Sequence, residues 1–202
     1  GSRDMITESP YTIKNETEQK GKWHEVFGNS NPIHIEIGMG KGQFLMTLAG
    51  QNPDINYVGI EKYSSVLVRA LEKQQELELP NIKFIRMEAE NIADVFDKNE
   101  VARIYLNFSD PWPKDRHSKR RLTSTNYLQV YDKLFKGKPH IIQKTDNDLL
   151  FQFSLDEYQK YGYHINRISY DLHNEDIPNV MTEYEEKFSN MGIKIKYVDV
   201  SK

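Results

Sequence analysis

The sequence predicts an α/β fold, a mainly parallel sheet of seven strands with helices on both faces. Three observations lead there. Short apolar or alternating runs recur between segments of helical periodicity. A glycine-rich turn follows the first run directly. An acidic residue stands at or just beyond the end of each of the first five runs, as Glu36, Glu61, Glu88, Asp110 and Asp146. In such sheets ligands bind beyond the carboxyl ends of the strands, at the switch point in strand order.

Residues 3–31 are polar and weakly periodic, with one amphipathic turn from Lys22 to Phe27. Ile33-His34-Ile35-Glu36-Ile37 alternates as a strand should, and Gly38-Met39-Gly40-Lys41-Gly42 follows at once. Phe44, Leu45, Leu48 and Ala49 then repeat at helical spacing up to the stop at Asn52-Pro53. Tyr57 to Ile60 is the second strand, closed by Glu61; Ser64 to Leu79 is a helix capped by Ser64 or Ser65, with Pro80 beyond it. Ile82 to Met87 and Val101 to Phe108 read as the third and fourth strands, with a short helix at Ile92 to Phe96 between them. Thr125 to Phe135 is helical, with Gly137 as its C-cap. His140 to Thr145 is a strand, Leu149 to Tyr161 a helix, and Ile165 to Leu172 and Ile193 to Val200 the closing strands.

Composition excludes several function classes. The 202 residues include no cysteine, which removes disulfides, thiolate zinc sites and cysteine nucleophiles together. The six histidines have no metal-ligand spacing, so no metal is expected. No apolar run is long enough to span a bilayer, and a cytoplasmic protein is expected, monomeric or homodimeric. The formal net charge is −3, so any nucleic acid must meet a local basic patch rather than a general positive field.

The glycine turn is neither a nicotinamide fingerprint nor a Walker loop, because the third glycine comes one position early and the lysine pattern is missing. It reads Glu36-x-Gly38-x-Gly40-x-Gly42. An acid before the loop repels a pyrophosphate but welcomes a cation, and Glu61, 25 residues on, is placed to accept from a ribose diol. With Glu88, this set suits S-adenosylmethionine, which carries an ammonium, a sulfonium and a ribose and no phosphate.

The second focus is the stretch from Leu106 to Arg121. Its strand ends at Asp110, biased toward extended backbone by Pro111, with Trp112 and Pro113 behind. Lys114, Arg116, Lys119, Arg120 and Arg121 follow against Asp115 alone, five basic groups to one acidic. A carboxylate and an indole thus stand at a strand end beside a patch that attracts phosphates.

Four segments together carry a resemblance: Leu-Asn-Phe-Ser-Asp-Pro-Trp-Pro at 106–113, Arg116-His117-x-Lys119-Arg120-Arg121-Leu122, Lys144-Thr145-Asp146-Asn147, and Met181-Thr182-Glu183-Tyr184-Glu185. In that order they resemble the bacterial tRNA (guanine-N7-)-methyltransferase family, TrmB type, over nearly everything from about Lys22 onward. The resemblance implies the class I S-adenosylmethionine-dependent methyltransferase fold (Rossmann-like), with a methyltransferase domain at 32–202 after an N-terminal extension at 1–31, whose Gly1-Ser2 reads by itself as a cloning remnant. It implies methylation of the variable-loop guanine at tRNA position 46. By motif, Glu36, Gly38, Gly40, Glu61, Glu88 and Asp110 are cofactor positions, and Asp110 also stands between cofactor and base as the catalytic candidate. Lys114, Asp146, Thr182, Glu183, Tyr184 and Glu185 are substrate positions, with Asp146 and Glu185 the candidate clamp on the guanine edge. Arg116, His117, Lys119, Arg120 and Arg121 face RNA. Asp148 departs from the pattern, standing where an arginine is usual.

The residues themselves leave alternatives open: methylation of another RNA base or a small molecule, or RNA binding with a vestigial cofactor pocket. Two chemistries fit less well. Carbon-5 methylation of a pyrimidine usually uses a cysteine adduct. Exocyclic amine methylation typically uses an Asn/Asp-Pro-Pro-aromatic loop, and Asp110-Pro111-Trp112-Pro113 lacks the second consecutive proline.

Overall fold

A computed structural model describes all residues from 1 to 202. Its seven strands are β1 (Ile33–Ile37), β2 (Asn56–Glu61), β3 (Ile82–Arg86), β4 (Arg103–Asn107), β5 (His140–Thr145), β6 (His164–Ser169) and β7 (Lys196–Ser201), in the sheet order β3-β2-β1-β4-β5-β7-β6. Strands β1 to β5 pair in parallel, and β7 runs antiparallel to both β5 and β6. Strand order reverses between β1 and β4, so the crevice beyond their carboxyl ends is the switch point. The helices are α1 (Ser2–Glu8), α2 (Trp23–Phe27), α3 (Gln43–Gln51), α4 (Ser64–Leu77), α5 (Thr125–Tyr131), α6 (Asp148–Lys160) and α7 (Glu183–Ser189).

Alternation along the strands divides the core in two. Ile33, Ile35 and Ile37 of β1 join Ile104, Leu106, Leu128, Phe151 and Val198 on one face. Tyr57 and Phe84 pack against Leu45, Leu67 and Leu71 of α3 and α4 on the other. Two near-continuous apolar layers are what a parallel sheet buried on both faces requires.

Several elements differ from the sequence expectation, each for a packing reason. Residues 3–31 hold more order than their polarity implies. Trp23 is fully buried, donates its Nε1–H to the Val95 carbonyl at 2.8 Å and stacks on Phe96 at 4.7 Å between centroids. The Glu100 carboxylate gathers the backbone N–H groups of Gly21, Trp23 and Asp97, and Thr12 forms a parallel bridge with Phe84. Helix α5 stops at Tyr131 rather than Phe135, because Phe135 leaves to form a bridge with Val101; Gly137 therefore does not cap it. Helix α4 takes Tyr63 as N-cap, not a serine. The segment at 92–96 is reached through a 3-10 turn, Ala89–Asp94. Strand β7 begins at Lys196 because Ile195 accepts the Leu172 N–H and packs with Leu172 and Tyr197 instead.

The turn after β1 needs its glycines. Gly38, Gly40 and Gly42 have φ of 80°, 60° and 85°, the left-handed region that glycine enters without steric cost. The Ile60 carbonyl of β2 holds the turn through the Gly38 and Met39 N–H groups at 2.8 and 3.0 Å.

Candidate active site

The carboxyl ends of the strands open on a cavity of about 510 Å³. Glu61, Glu88, Glu90 and Asp110 line it against Lys62 and Arg120, so its wall carries four carboxylates to two cations. Ile60, Met87, Ala89, Leu122 and Tyr127 supply apolar walls, and Gly38, Asn107 and Trp112 complete the rim. Three acids expected from strand-end spacing, Glu61, Glu88 and Asp110, therefore meet in one place. The Glu61 carboxylate is held by the Gly40 N–H at 3.1 Å and the Tyr63 N–H at 3.0 Å, leaving lone pairs on both oxygens.

Glu36 and Gly40 do not line the cavity. Glu36 lies beneath it, 1% exposed, and accepts from Asn107 Nδ2 at 2.9 Å. Burial pushes its carboxyl up to about 8, against the pull of that hydrogen bond and of Lys144. Its other oxygen, Oε1, and Asn107 Oδ1 are buried without a partner. Two orphaned acceptors at the floor of an acid-lined cleft are what an ammonium satisfies, so the residues present fit S-adenosylmethionine.

The turn from strand to corner is strained on both sides of Asp110. Phe108 and Trp112 have φ of 55° and 45°, conformations that bulky L-residues rarely adopt. Such strain collects where side chains must be aimed rather than packed. Asp110 itself is exposed.

Beyond the cavity, Asn179 to Glu185 forms a strap against Phe108, Lys144 and the start of α3. Thr182 caps α7 by accepting the Glu185 N–H at 2.9 Å. Glu183 accepts the Gln43 N–H at 2.7 Å, and Gln43 Nε2 donates to the Met181 carbonyl at 3.3 Å, tying the strap to the start of α3. Tyr184 donates to Asp146 Oδ2 at 2.9 Å and packs on Phe108 at 4.7 Å.

Two sequence expectations are corrected here. Glu185, expected on the guanine edge, is 0% exposed and committed to others: Lys144 Nζ at 2.6 Å, His173 Nε2 at 2.5 Å and Asn179 Nδ2 at 2.7 Å. Burial alone would raise its carboxyl, but the Lys144 ammonium together with the hydrogen bonds from Lys144, His173 and Asn179 outweighs this and holds it below the usual range. Arg121, expected to face RNA, is 3% exposed and donates to backbone carbonyls of the Asp110 corner. The rest of the basic run forms a 3-10 turn, Asp115–Arg120, with Lys114, Arg116, Lys119 and Arg120 exposed and His117 half-buried against the Trp112 ring edge. Asp148, the acid in place of an arginine, pairs with Lys196 at 2.6 Å.

Comparison with known proteins gives the family and the fold group. A family model described as "Putative methyltransferase" matches residues 30–198. The curated tRNA (guanine-N(7)-)-methyltransferase of Lachnoclostridium phytofermentans is 57% identical over 95% of this chain and 91% of its own length. The protein of the same name from Bacillus subtilis is 51% identical over 98% and 93%. The chain belongs to the tRNA (guanine-N7-)-methyltransferase family. Among solved structures, an antibiotic-related methyltransferase superposes with a TM-score of 0.66 at 19% identity, covering 90% of this chain and 92% of that one. A SAM-dependent methyltransferase from Aquifex aeolicus gives 0.56 at 14% identity over 100% and 98%. These likenesses place the fold in the class I, Rossmann-like methyltransferase group.

Within this family member, the sequence does not point to the roles of Asn107 and Gln43, whose partners Glu36 and Glu183 lie 71 and 140 residues away, nor to His173 and Asn179, which meet Glu185 only through the fold of the strap. Lys144 stands in a motif segment without a role that spacing alone would assign. A signal is nonetheless present: a lysine inside an apolar strand run must find a counter-charge.

Proposed function

We propose that the chain methylates N7 of a guanine in tRNA with S-adenosylmethionine as donor, at the variable-loop position numbered 46. The observation that carries this reading is the acid-lined cavity at the switch point, in a chain whose 57%- and 51%-identical relatives are named tRNA (guanine-N(7)-)-methyltransferase; position 46 comes from the motif resemblance. The donor supplies an electrophilic methyl group whose transfer moves positive charge from sulfur to the base. Everything else is positioning and electrostatics.

Glu36 and Asn107 take the ammonium, Glu61 the ribose diol, and the apolar wall of Met87, Ala89 and Leu122 the flat adenine. Guanine N7 already bears an in-plane lone pair, so no general base is required. Asp110, exposed at the cavity rim, stabilises the positive charge as it reaches the base. On the outer side Asp146 is oriented by Tyr184 and keeps one oxygen free to accept from the guanine N1–H or 2-amino group. Lys114, Arg116, Lys119 and Arg120 meet phosphates, as folded RNA is held mainly by backbone and shape. A tRNA substrate puts the protein in the cytoplasm.

Radiolabelled methyl transfer to unmodified tRNA, followed by nucleoside analysis, tests the reading. The expected product is 7-methylguanosine at one position, and a different methylated nucleoside would refute it. Asp110→Ala should retain the melting temperature of the wild type and lose about 100-fold or more in kcat, the scale of one electrostatic stabiliser.

A further inference from the structure

Arg121 sits in a run of exposed basic residues, yet its side chain turns inward. Its guanidinium finds no carboxylate. Nε donates to the Pro111 carbonyl at 2.9 Å and the Trp112 carbonyl at 3.2 Å, and Nη2 donates to the Trp112 carbonyl at 2.8 Å. The Phe153 ring of α6 lies beneath it, with its centroid 4.5 Å from the guanidinium carbon. The backbone is held too: Arg121 N–H donates to Ser118, and its carbonyl accepts the N–H and Oγ–H of Ser124 at the start of α5.

Burying an unpaired guanidinium is costly, so its partners are informative. The Pro111 and Trp112 carbonyls belong to the two peptide planes that bracket Trp112, the residue held at a φ of 45°. One planar fork thus fixes both planes around a strained residue, a geometry the single ammonium of a lysine does not reproduce. Asp110 and Trp112 line the cavity, as do Arg120 and Leu122 on either side of Arg121, but Arg121 does not.

We propose that Arg121 is a positioning residue for methyl transfer: it locks the Asp110-Pro111-Trp112 corner so that carboxylate and indole keep their places in the cavity wall, and it makes no phosphate contact. The inference rests on the methyltransferase reading above. It divides the basic run by role, with the exposed members for RNA and this one for the site.

The test compares Arg121→Lys, Arg121→Gln and Phe153→Leu with the wild type. The chain has two tryptophans, and Trp23 is fully buried, so acrylamide-quenchable emission reports Trp112. Both Arg121 variants should show more quenching and a fall of roughly 10- to 100-fold in kcat/KM for the donor, the scale of a misplaced group. Their tRNA affinity and its salt dependence should match the wild type. Phe153→Leu should move the same readouts less far. A salt slope lowered by ~0.7–0.9 in Arg121→Gln, with quenching and donor kinetics unchanged, would make Arg121 a phosphate contact and overturn the proposal. A lower melting temperature with wild-type quenching and kinetics would make it merely structural. If the Arg121 variants do not fold, unchanged quenching and kinetics in Phe153→Leu overturn it. Failure of the wild type to make 7-methylguanosine sinks the functional reading instead, while the quenching comparison still reads the clamp.

Discussion

The ion pair between Lys144 and Glu185 gives the sharpest quantitative test of how the site is held. Lys144 and Glu185 are 2% and 0% exposed, and the ammonium donates to Glu185 Oε1 at 2.6 Å, Val180 O at 2.8 Å and Asn179 Oδ1 at 2.9 Å. Lys144→Met keeps the apolar stem but leaves Glu185 Oε1 buried and bare, with His173 and Asn179 still on Oε2. Breaking a buried pair from one side costs about 3–5 kcal/mol, because a charge stays behind without its partner. For a chain of this length each kcal/mol lowers Tm by ~2–4 °C, so a fall of roughly 6–20 °C is expected by calorimetry, with a matching loss in urea denaturation. Removing both charges as Lys144→Met with Glu185→Leu should cost less than Lys144→Met alone, since no buried charge is left without its partner. Methyl transfer should fall in the single variant even well below its Tm, because the freed strap no longer brings Tyr184 to Asp146. A loss under about 1 kcal/mol, the worth of an exposed pair, would refute the reasoning. So would a double variant whose loss equals the sum of the two single changes.

Three further outcomes are expected. Burial raises the Glu36 carboxyl from 4.5 to about 8, so its contribution to stability is complete below pH 4.5 and lost as pH rises through 8; Glu36→Gln should flatten the fall in Tm across that window, and parallel pH profiles would count against it. Arg116→Ala with Lys119→Ala should lower the salt slope of tRNA binding by about 0.7–0.9 for each phosphate no longer neutralised, with donor affinity nearly unchanged; an unaltered slope would remove these two residues from the RNA interface. A Cβ on Gly59 would meet Met39 Sδ of the glycine turn and Phe84 Cδ1 at 3.1 Å, so Gly59→Ala should cost about 1–3 kcal/mol and weaken donor binding, both read by thermal shift with and without S-adenosylhomocysteine.

Much of the cavity's frame is legible in the sequence, because it depends on local rules. Period-two alternation marks β1, three left-handed backbone positions demand Gly38, Gly40 and Gly42, and acids just past strand ends share one rim wherever strands run parallel. The motif segments carry residues that the fold brings near the cavity, but not the directions in which side chains face. Arg120 and Arg121 are adjacent and alike in charge; one faces the cavity and the other the inside of the corner. Glu183 and Glu185 likewise share a helix turn, and only Glu185 is sealed from water.

By itself, the order of residues determined the parallel α/β architecture and the acidic rim, since both follow from spacing along a few residues, while four motif segments carried the resemblance to the family. Tertiary structure alone decided that Trp23 joins the core through Val95, that Lys144 meets Glu185, and that Arg121 bonds backbone rather than phosphate. These contacts join residues from 9 to 72 positions apart. Which of two neighbouring charges is buried depends on whether packing offers it partners to replace water, and that is settled only once distant elements have met.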